Sequence, residues 1–288
     1  MKKLINRLLF KFVHQQWNIG IADRNDDLTL SNIKWMRHHY SDRWFADPFI
    51  VDETVDSYII LVEEFLRDEH KGRLARLTVS KSDCTLMRNE TILDLPTHLS
   101  FPNAIIVDEK TYVYPENGAS GHTQYYVYDE VLSKAKCLSD LPLADAVIFK
   151  HEDNYYLFYT MSESCNGNVL HISVSKEVFG NYRPLQDIVF PDNIARRAGN
   201  VFEWNGKMIF PAQICNHNYG EGVSFQELYF SDNKIELKEL FRMAPPTNDY
   251  PNGFHTYNVW KDKVVLDGYR YGSNLLHKLY FLLRGLDE

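Results

Sequence analysis

The chain has 288 residues, 44% hydrophobic and 14% aromatic, a composition that excludes intrinsic disorder and supports the core of a large all-β domain. Its net charge of −8 sets up a field that repels phosphate backbones and argues against nucleic acid as a partner. No apolar run long enough for a helical membrane span occurs.

At the N-terminus, Met1, Leu4, Ile5, Leu8, Leu9, Phe12 and Val13 recur at helical spacing, with Lys2, Lys3, Arg7 and Lys11 on the other face. This predicts a basic amphipathic helix over residues 1–16, which either rests on an anionic membrane surface or docks on the body with its lysines solvated. Arg7 and Lys11 interrupt the apolar stretch and no small-residue cleavage site follows, so the segment does not read as a secretory signal. A cytoplasmic protein is expected, with peripheral contact at the inner face of the membrane. The four cysteines, Cys84, Cys137, Cys165 and Cys215, form no C-x-x-C pair and read as buried, reduced thiols.

Beyond residue 40 helical periodicity gives way to a recurring unit of apolar strand, polar turn and second apolar strand. The units are Pro48–Val51 with Tyr58–Val62, Ala104–Val107 with Tyr112–Tyr114, Ala146–Phe149 with Tyr155–Tyr159, Asn200–Phe202 with Met208–Phe210, and Tyr257–Trp260 with Val264–Leu266. Their turns, near residues 56, 109, 153, 205 and 262, recur at loose intervals of about fifty residues, the mark of propeller blades. Later strands of the units are visible at Gly72–Ser80, Thr123–Tyr128, Val169–Val174 and Phe225–Phe230. The predicted fold is therefore all-β, a five-bladed β-propeller over residues 17–288 with blades beginning near 44, 98, 143, 195 and 253. Trp17–Ala22 is available to complete the last blade. A two-sheet sandwich is the alternative, since hairpins alone do not fix ring closure.

In a propeller, the starts of the first strands converge on one axial channel. Here those starts bring Asp47, Asp145, Arg196, Arg197, His98, His255 and several amides together among aromatic side chains. Burying each such group unpaired costs about 1–3 kcal/mol, so a polar ligand that supplies partners is the economical explanation.

Several short motifs occur in order: Trp44-Phe45-Ala46-Asp47-Pro48-Phe49, Glu63-Glu64-Phe65, His98-Leu99-Ser100-Phe101-Pro102 and Tyr114-Pro115-Glu116-Asn117. Pro142-Leu143-Ala144-Asp145, Arg196-Arg197-Ala198-Gly199-Asn200, Pro211-Ala212-Gln213 and Tyr219-Gly220 continue the series. The series resembles the N-terminal domain of plant glucosamine inositolphosphorylceramide transferases and their bacterial relatives. That domain in turn is similar to the five-bladed propellers of arabinanases, xylosidases, invertases and levansucrases, so the resemblance implies sugar chemistry. Carried over, Asp47 matches the first-blade Asp that serves as base or nucleophile, and Asp145 the second Asp, which holds sugar hydroxyls and tunes neighbouring protonation. Where those enzymes place an acidic Glu on blade four, this chain has Arg196-Arg197, leaving Glu64 and Glu116 as candidates for the third acid. Glycoside hydrolysis ordinarily needs a paired acid and base.

Arg196 and Arg197 have two readings: one guanidinium neutralises Asp47 or Asp145, or the pair clamps a phosphate or carboxylate, as a nucleotide diphosphate leaving group requires. Trp44, His98, Ser100, Asn200, Gln213, Tyr219 and His255 are the candidate substrate-binding residues, each of the histidines also being open to a plain core role. Neither an Asp-x-Asp, a P-loop, a dinucleotide fingerprint nor a cluster at metal-ligand spacing occurs, so no metal and no cofactor are expected. Three functions remain open. The leading one is a glycosyltransferase that builds a cell-surface or capsular glycan at the cytoplasmic membrane face from a nucleotide-activated sugar donor and a glycan or glycolipid acceptor, the resemblance implying a furanosyl residue such as fructofuranose. The others are a glycoside hydrolase of arabinanase or invertase type and a non-catalytic sugar-binding propeller.

Overall fold

A computed structural model describes residues 15–231 and 234–272. The predicted N-terminal helix falls outside the described residues except at its end, where Gln15 and Gln16 are already strand. Twenty strands form five four-stranded antiparallel sheets arranged as a propeller. Blade one is β3 (Arg43–Glu53), β4 (Ser57–Leu66), β5 (Lys71–Ser80) and β6 (Leu86–Leu93). Blade two is β7 (Ser100–Val107), β8 (Lys110–Glu116), β9 (Thr123–Asp129) and β10 (Val131–Ser139). Blade three is β11 (Leu143–His151), β12 (Asn154–Met161), β13 (Val169–Ser175) and β14 (Arg183–Val189). Blade four is β15 (Phe202–Trp204), β16 (Lys207–Ile214), β17 (Gly222–Ser231) and β18 (Lys234–Met243). The last blade joins both ends of the described chain: β19 (Tyr257–Trp260) and β20 (Lys263–Tyr271) are completed by β1 (Gln15–Arg24) and β2 (Leu30–Trp35). β1 pairs with β20 from Gln15↔Tyr271 to Asp23↔Lys263, which closes the ring.

Every predicted strand pair is present, and ring closure rules out the sandwich. Two first strands begin later than the predicted blade starts, at Phe202 and Tyr257. The preceding segments are not regular strand but meet the sheet at isolated bridges, Arg197↔Ala212 and Gly253↔Tyr269, and through further backbone hydrogen bonds. Among the turns, Asp108-Glu109 and Asn205-Gly206 hold both central residues at positive φ, the geometry that matches strand twist in two-residue hairpins.

The core explains why the middle strands read as nearly unbroken apolar runs. Blades stack face to face, and one hydrophobic cluster fills each of the five interfaces. Ile19 and Val265 meet Phe45, Ile60 and Leu77 between the last blade and the first, for example, while Phe158 and Leu170 meet Phe210 and Leu228 between blades three and four. All four cysteines are free, but Cys137 is exposed and Cys165 half-buried, so only Cys84 and Cys215 fit the expectation of buried thiols.

Asparagines bind the inner strands to one another across the channel. Asn258 donates to the Pro48 carbonyl at 3.0 Å and Asn103 to the Ala146 carbonyl at 3.1 Å. Asn103 also donates to Asn200 Oδ1 at 2.9 Å, and the Asn200 backbone N–H to Asn258 Oδ1 at 3.0 Å. These bonds link all five blades, and they make Asn200 a structural tie rather than the substrate-binding residue predicted.

Candidate active site

The first strands of blades one to three each carry a bulge at the same level, where the register slips between Ala46 and Phe49, Ser100 and Asn103, and Ala144 and Val147. Within each bulge one residue has positive φ: Asp47 (51°), Phe101 (45°) and Asp145 (44°). A bulge bends the strand and re-aims one side chain, and Asp tolerates the left-handed region better than most residues. Two of the three bulges thus carry carboxylates, and both are buried.

The second strands supply a matching ring. Glu63 lies opposite Ala46, Glu116 opposite Ser100 and Thr160 opposite Ala144. On blade four the Gln213 N–H donates to the Arg196 carbonyl, and on the last blade Asp267 receives the Thr256 N–H. Each blade therefore contributes one polar side chain at this level. Among the described residues, Glu63 Oε1, Thr160 Oγ1 and Gln213 Oε1 are buried without a well-formed hydrogen bond, although His98 Nε2 comes within 3.3 Å of Glu63 Oε1. Buried groups of this kind are costly unless a polar ligand or water completes them, and three lie at one level.

The electrostatics divide the cluster into two halves. In one, Asp47 Oδ2 accepts the Phe101 N–H at 3.0 Å and Oδ1 accepts the Thr256 hydroxyl at 3.2 Å. His255 lies 3.6 Å from Asp47 through Nε2 and 2.6 Å from Asp267 through Nδ1. Burial pushes Asp47 up to about 6, against the pull of His255 and with help from Asp145 and Asp267. Burial also opposes charge on His255, but Asp267 and then Asp47 outweigh it and hold the imidazole above its usual value. In the other half, Arg196 pairs through Nε with Asp145 and through Nη2 with Glu116 at 3.2 Å. Its Nη1 donates to Asn166 Oδ1 at 2.9 Å, and its guanidinium covers the Tyr219 ring at 5.1 Å. Gln213 Nε2 donates to Asp145 Oδ2 at 2.6 Å, so Asp145 is fixed from two sides. Burial raises Glu116 to about 8, Arg196 opposing and Asp145 adding to the effect. Glu63 is raised well above the carboxylate range, by burial first and then by Asp47 and Glu116.

Asp47, Asp145, Glu116, Arg196, Gln213, Tyr219 and His255 come together as predicted, with Ser100 buried in register beside Glu116. His98 borders the cluster: its Nδ1 accepts the Gly72 N–H at 2.9 Å, which leaves the Nε2 proton facing Glu63 Oε1 at 3.3 Å. Trp44 is at the rim, stacked on Phe65 at 4.5 Å. Two predictions are corrected. Glu64 faces away from the axis and is consumed by Arg43 at 2.8 Å, Arg73 at 2.7 Å and Asn89 at 2.6 Å, because neighbours on one strand point to opposite faces. Arg197 also turns away. It donates to the Ala195 and Ile194 carbonyls and to Gln226 and lies over Phe210, so no arginine pair clamps an anion at the axis.

Residues not singled out from sequence complete the site. Asp267 interrupts an apolar strand just as Asp145 does, and that signal could have found it. Trp17 stacks on His255 at 4.2 Å; nothing in its local sequence separates it from a core tryptophan. Asp47, His255 and Asp267 place ligand atoms within 4.8 Å of one another, the spacing of a metal site. The donor set fits a proton better. Asp267 already accepts the N–H groups of Asp47, His255 and Thr256 at 3.0–3.1 Å, together with the imidazole.

Residues 24–246 match the family described as glucosamine inositolphosphorylceramide transferase 1, N-terminal. The chain belongs to this family. Glucosamine inositolphosphorylceramide transferase 1 of Arabidopsis thaliana is 27% identical over 160 residues, 52% of this chain and 20% of its own length. The chain thus spans about a fifth of that relative. Among solved structures, a GH43 β-1,3-galactosidase superposes with a TM-score of 0.56 at 12% identity, covering 80% of this chain and 57% of its own. An exo-1,5-α-L-arabinanase from a bovine ruminal metagenomic library gives 0.51 at 13% identity, over 70% of this chain and 80% of its own. These likenesses establish that the family member shares the propeller of carbohydrate-active proteins.

Proposed function

We propose that this chain is a carbohydrate-active enzyme that transfers a glycosyl group at the axial cluster from an activated donor to a glycan or glycolipid acceptor. The observation that carries the reading is the pairing of Asp47 and Glu116. Above about 6 Asp47 is a carboxylate able to take a proton, and below about 8 Glu116 is an acid able to give one. Around neutral pH the site therefore holds a base and an acid at once. Asp47 takes the proton of the acceptor hydroxyl, its orientation set by Phe101, Thr256 and His255. Glu116 protonates the departing oxygen. Asp145, held by Arg196 and Gln213, and the orphaned atoms of Glu63 and Gln213 receive the sugar hydroxyls. Family membership favours a transferase, and the relative's name favours a glycolipid acceptor. A furanosyl sugar, a role in capsular or other cell-surface glycan synthesis, a cytoplasmic location and a membrane-facing basic N-terminus belong to the same proposal, supported by sequence alone.

A hydrolase is the second reading. It is favoured by one observation: Arg196 is engaged by Asp145 and Glu116 and Arg197 turns away, so neither is free at the axis for a diphosphate leaving group. The separating experiment incubates the purified chain with nucleotide sugars plus glycan or glycolipid acceptors, and in parallel with nitrophenyl glycosides in buffer. Product that requires an activated donor supports transfer, and sugar release in plain buffer supports hydrolysis. Sugar affinity without turnover in either arm would reduce the chain to a binding module.

A further inference from the structure

A second cavity, of about 520 Å³, opens where the last blade meets the first and is lined from β1, β3 and the segments that follow β2 and β4. That volume lies within the range of small-molecule sites, about 300–1,000 Å³. Four arginines line it, Arg37, Arg43, Arg67 and Arg270, and no carboxylate does. Arg43 is committed to Asp42 and Glu64, and Arg37 to Asp83. Among the described residues, Arg67 and Arg270 form no ion pair; Arg270 lies 5.0 Å over the Tyr250 ring. Arg67 is half-buried with Nε lacking any partner, and the neighbouring His38 Nδ1 is likewise buried and unpartnered. The nearest carboxylate, Asp42, is already paired with Arg43 and makes no ion pair with Arg67, and a cation held half out of water beside an orphaned imidazole nitrogen is costly unless an anion completes it.

We propose that this cavity binds the phosphoryl or diphosphoryl group of a substrate. Guanidinium forks match tetrahedral oxyanions, and two of them here are uncommitted. Its position joins it to the axial cluster through one side chain: Trp17 forms part of the cavity wall while its ring stacks on His255 at 4.2 Å. At the axis Arg196 is already engaged by Asp145 and Glu116 and Arg197 turns away, so an incoming phosphate finds no free guanidinium there among acidic side chains and is directed to this flank. That the anion belongs to the substrate of glycosyl transfer rests on the function proposed above; that the cavity takes phosphate does not.

The test measures binding of UDP, inorganic pyrophosphate and myo-inositol 1-phosphate to the full chain by calorimetry, and of phosphatidylinositol vesicles by flotation. Uridine and phosphatidylcholine vesicles are the phosphate-free and zwitterionic controls. At least one phosphate-bearing probe is expected to bind while the controls do not. Arg67→Gln with Arg270→Gln should weaken that binding by about tenfold or more, the loss of one charged hydrogen-bonded contact. Arg270→Gln alone, an exposed position, serves if the double variant does not fold. Binding of UDP or pyrophosphate identifies an activated donor, and binding of inositol phosphate or phosphatidylinositol vesicles alone a lipid phosphoryl group; either supports the site. Failure of every probe, or unchanged affinity in the arginine variants, overturns it. Asp47→Asn should keep its anion affinity. Persistent anion binding without turnover of any sugar would sink the transfer reading and leave this site standing.

Discussion

In the proposed reaction Asp47 and Glu116 carry the chemistry at the scale of single residues, and their shifted acidities give it a pH signature. A base titrating at about 6 and an acid at about 8 predict a bell-shaped kcat/KM that rises through the first value and falls through the second. Glu116→Gln should cost about 10²-fold or more on substrates whose leaving oxygen needs a proton, and far less on those with an acidic leaving group. The same shift affects stability. Glu116 binds its proton more tightly folded than unfolded, so its contribution is full below about 4.5 and is lost as pH rises through about 8. Melting temperatures measured from pH 5 to 9 should therefore fall less for Glu116→Gln than for the parent. Asp47 and Asp145 were legible in the sequence because a carboxylate embedded in an apolar strand is rarely idle. Their precise aim was not, because a bulge and a positive φ leave no mark on the hydrophobic pattern. The two arginines misled for a related reason: adjacent residues on an extended segment diverge, and only Arg196 reached the axis.

Strand β4 concentrates the argument at the scale of one element. Glu63 and Glu64 are neighbours with identical side chains, yet one faces the axial cluster and the other an ion-pair network. Glu64→Gln leaves Arg43 and Arg73 without their buried counter-charge, and should destabilise the fold by about 3 kcal/mol while the pH profile keeps its shape. Glu63→Gln should do the reverse. Burial pushes Glu63 well above the usual carboxylate range, toward the neutral acid that the amide mimics; the melting temperature should hold while sugar affinity falls. Thermal melts and KM values on the two variants check both halves. Sequence could place the pair on opposite faces but not say which was inward, because the bulge after Ala46 resets the phase. The inner three strands of each blade were readable for a different reason, their burial between neighbouring blades. The outer strands β6, β10, β14 and β18 have mixed or exposed patterns, such as the Val131–Ser139 run, and their sequences carry no clean alternation.

Ring closure governs the whole molecule. β1 and β2 precede the other strands in the chain but form the outer half of the last blade; Trp17 of β1 also reaches the axial cluster, and Trp17 and Asn18 line the arginine cavity. Deleting residues 1–35 would expose the β20 edge and uncover the last interface, so circular dichroism should show loss of the cooperative melt rather than a milder four-blade fold. Five blades then act as one frame that fixes five polar side chains at one level. The central claim is that this level performs acid–base chemistry on a sugar, and Asp47→Asn tests it most directly, since it keeps the shape of the side chain and removes only the charge. With the substrate found by the donor and glycoside screen, kcat/KM should fall by about 10²-fold or more while the melting temperature stays within a few degrees of the parent or rises. A folded Asp47→Asn protein that retained more than about a tenth of parental activity would contradict the account.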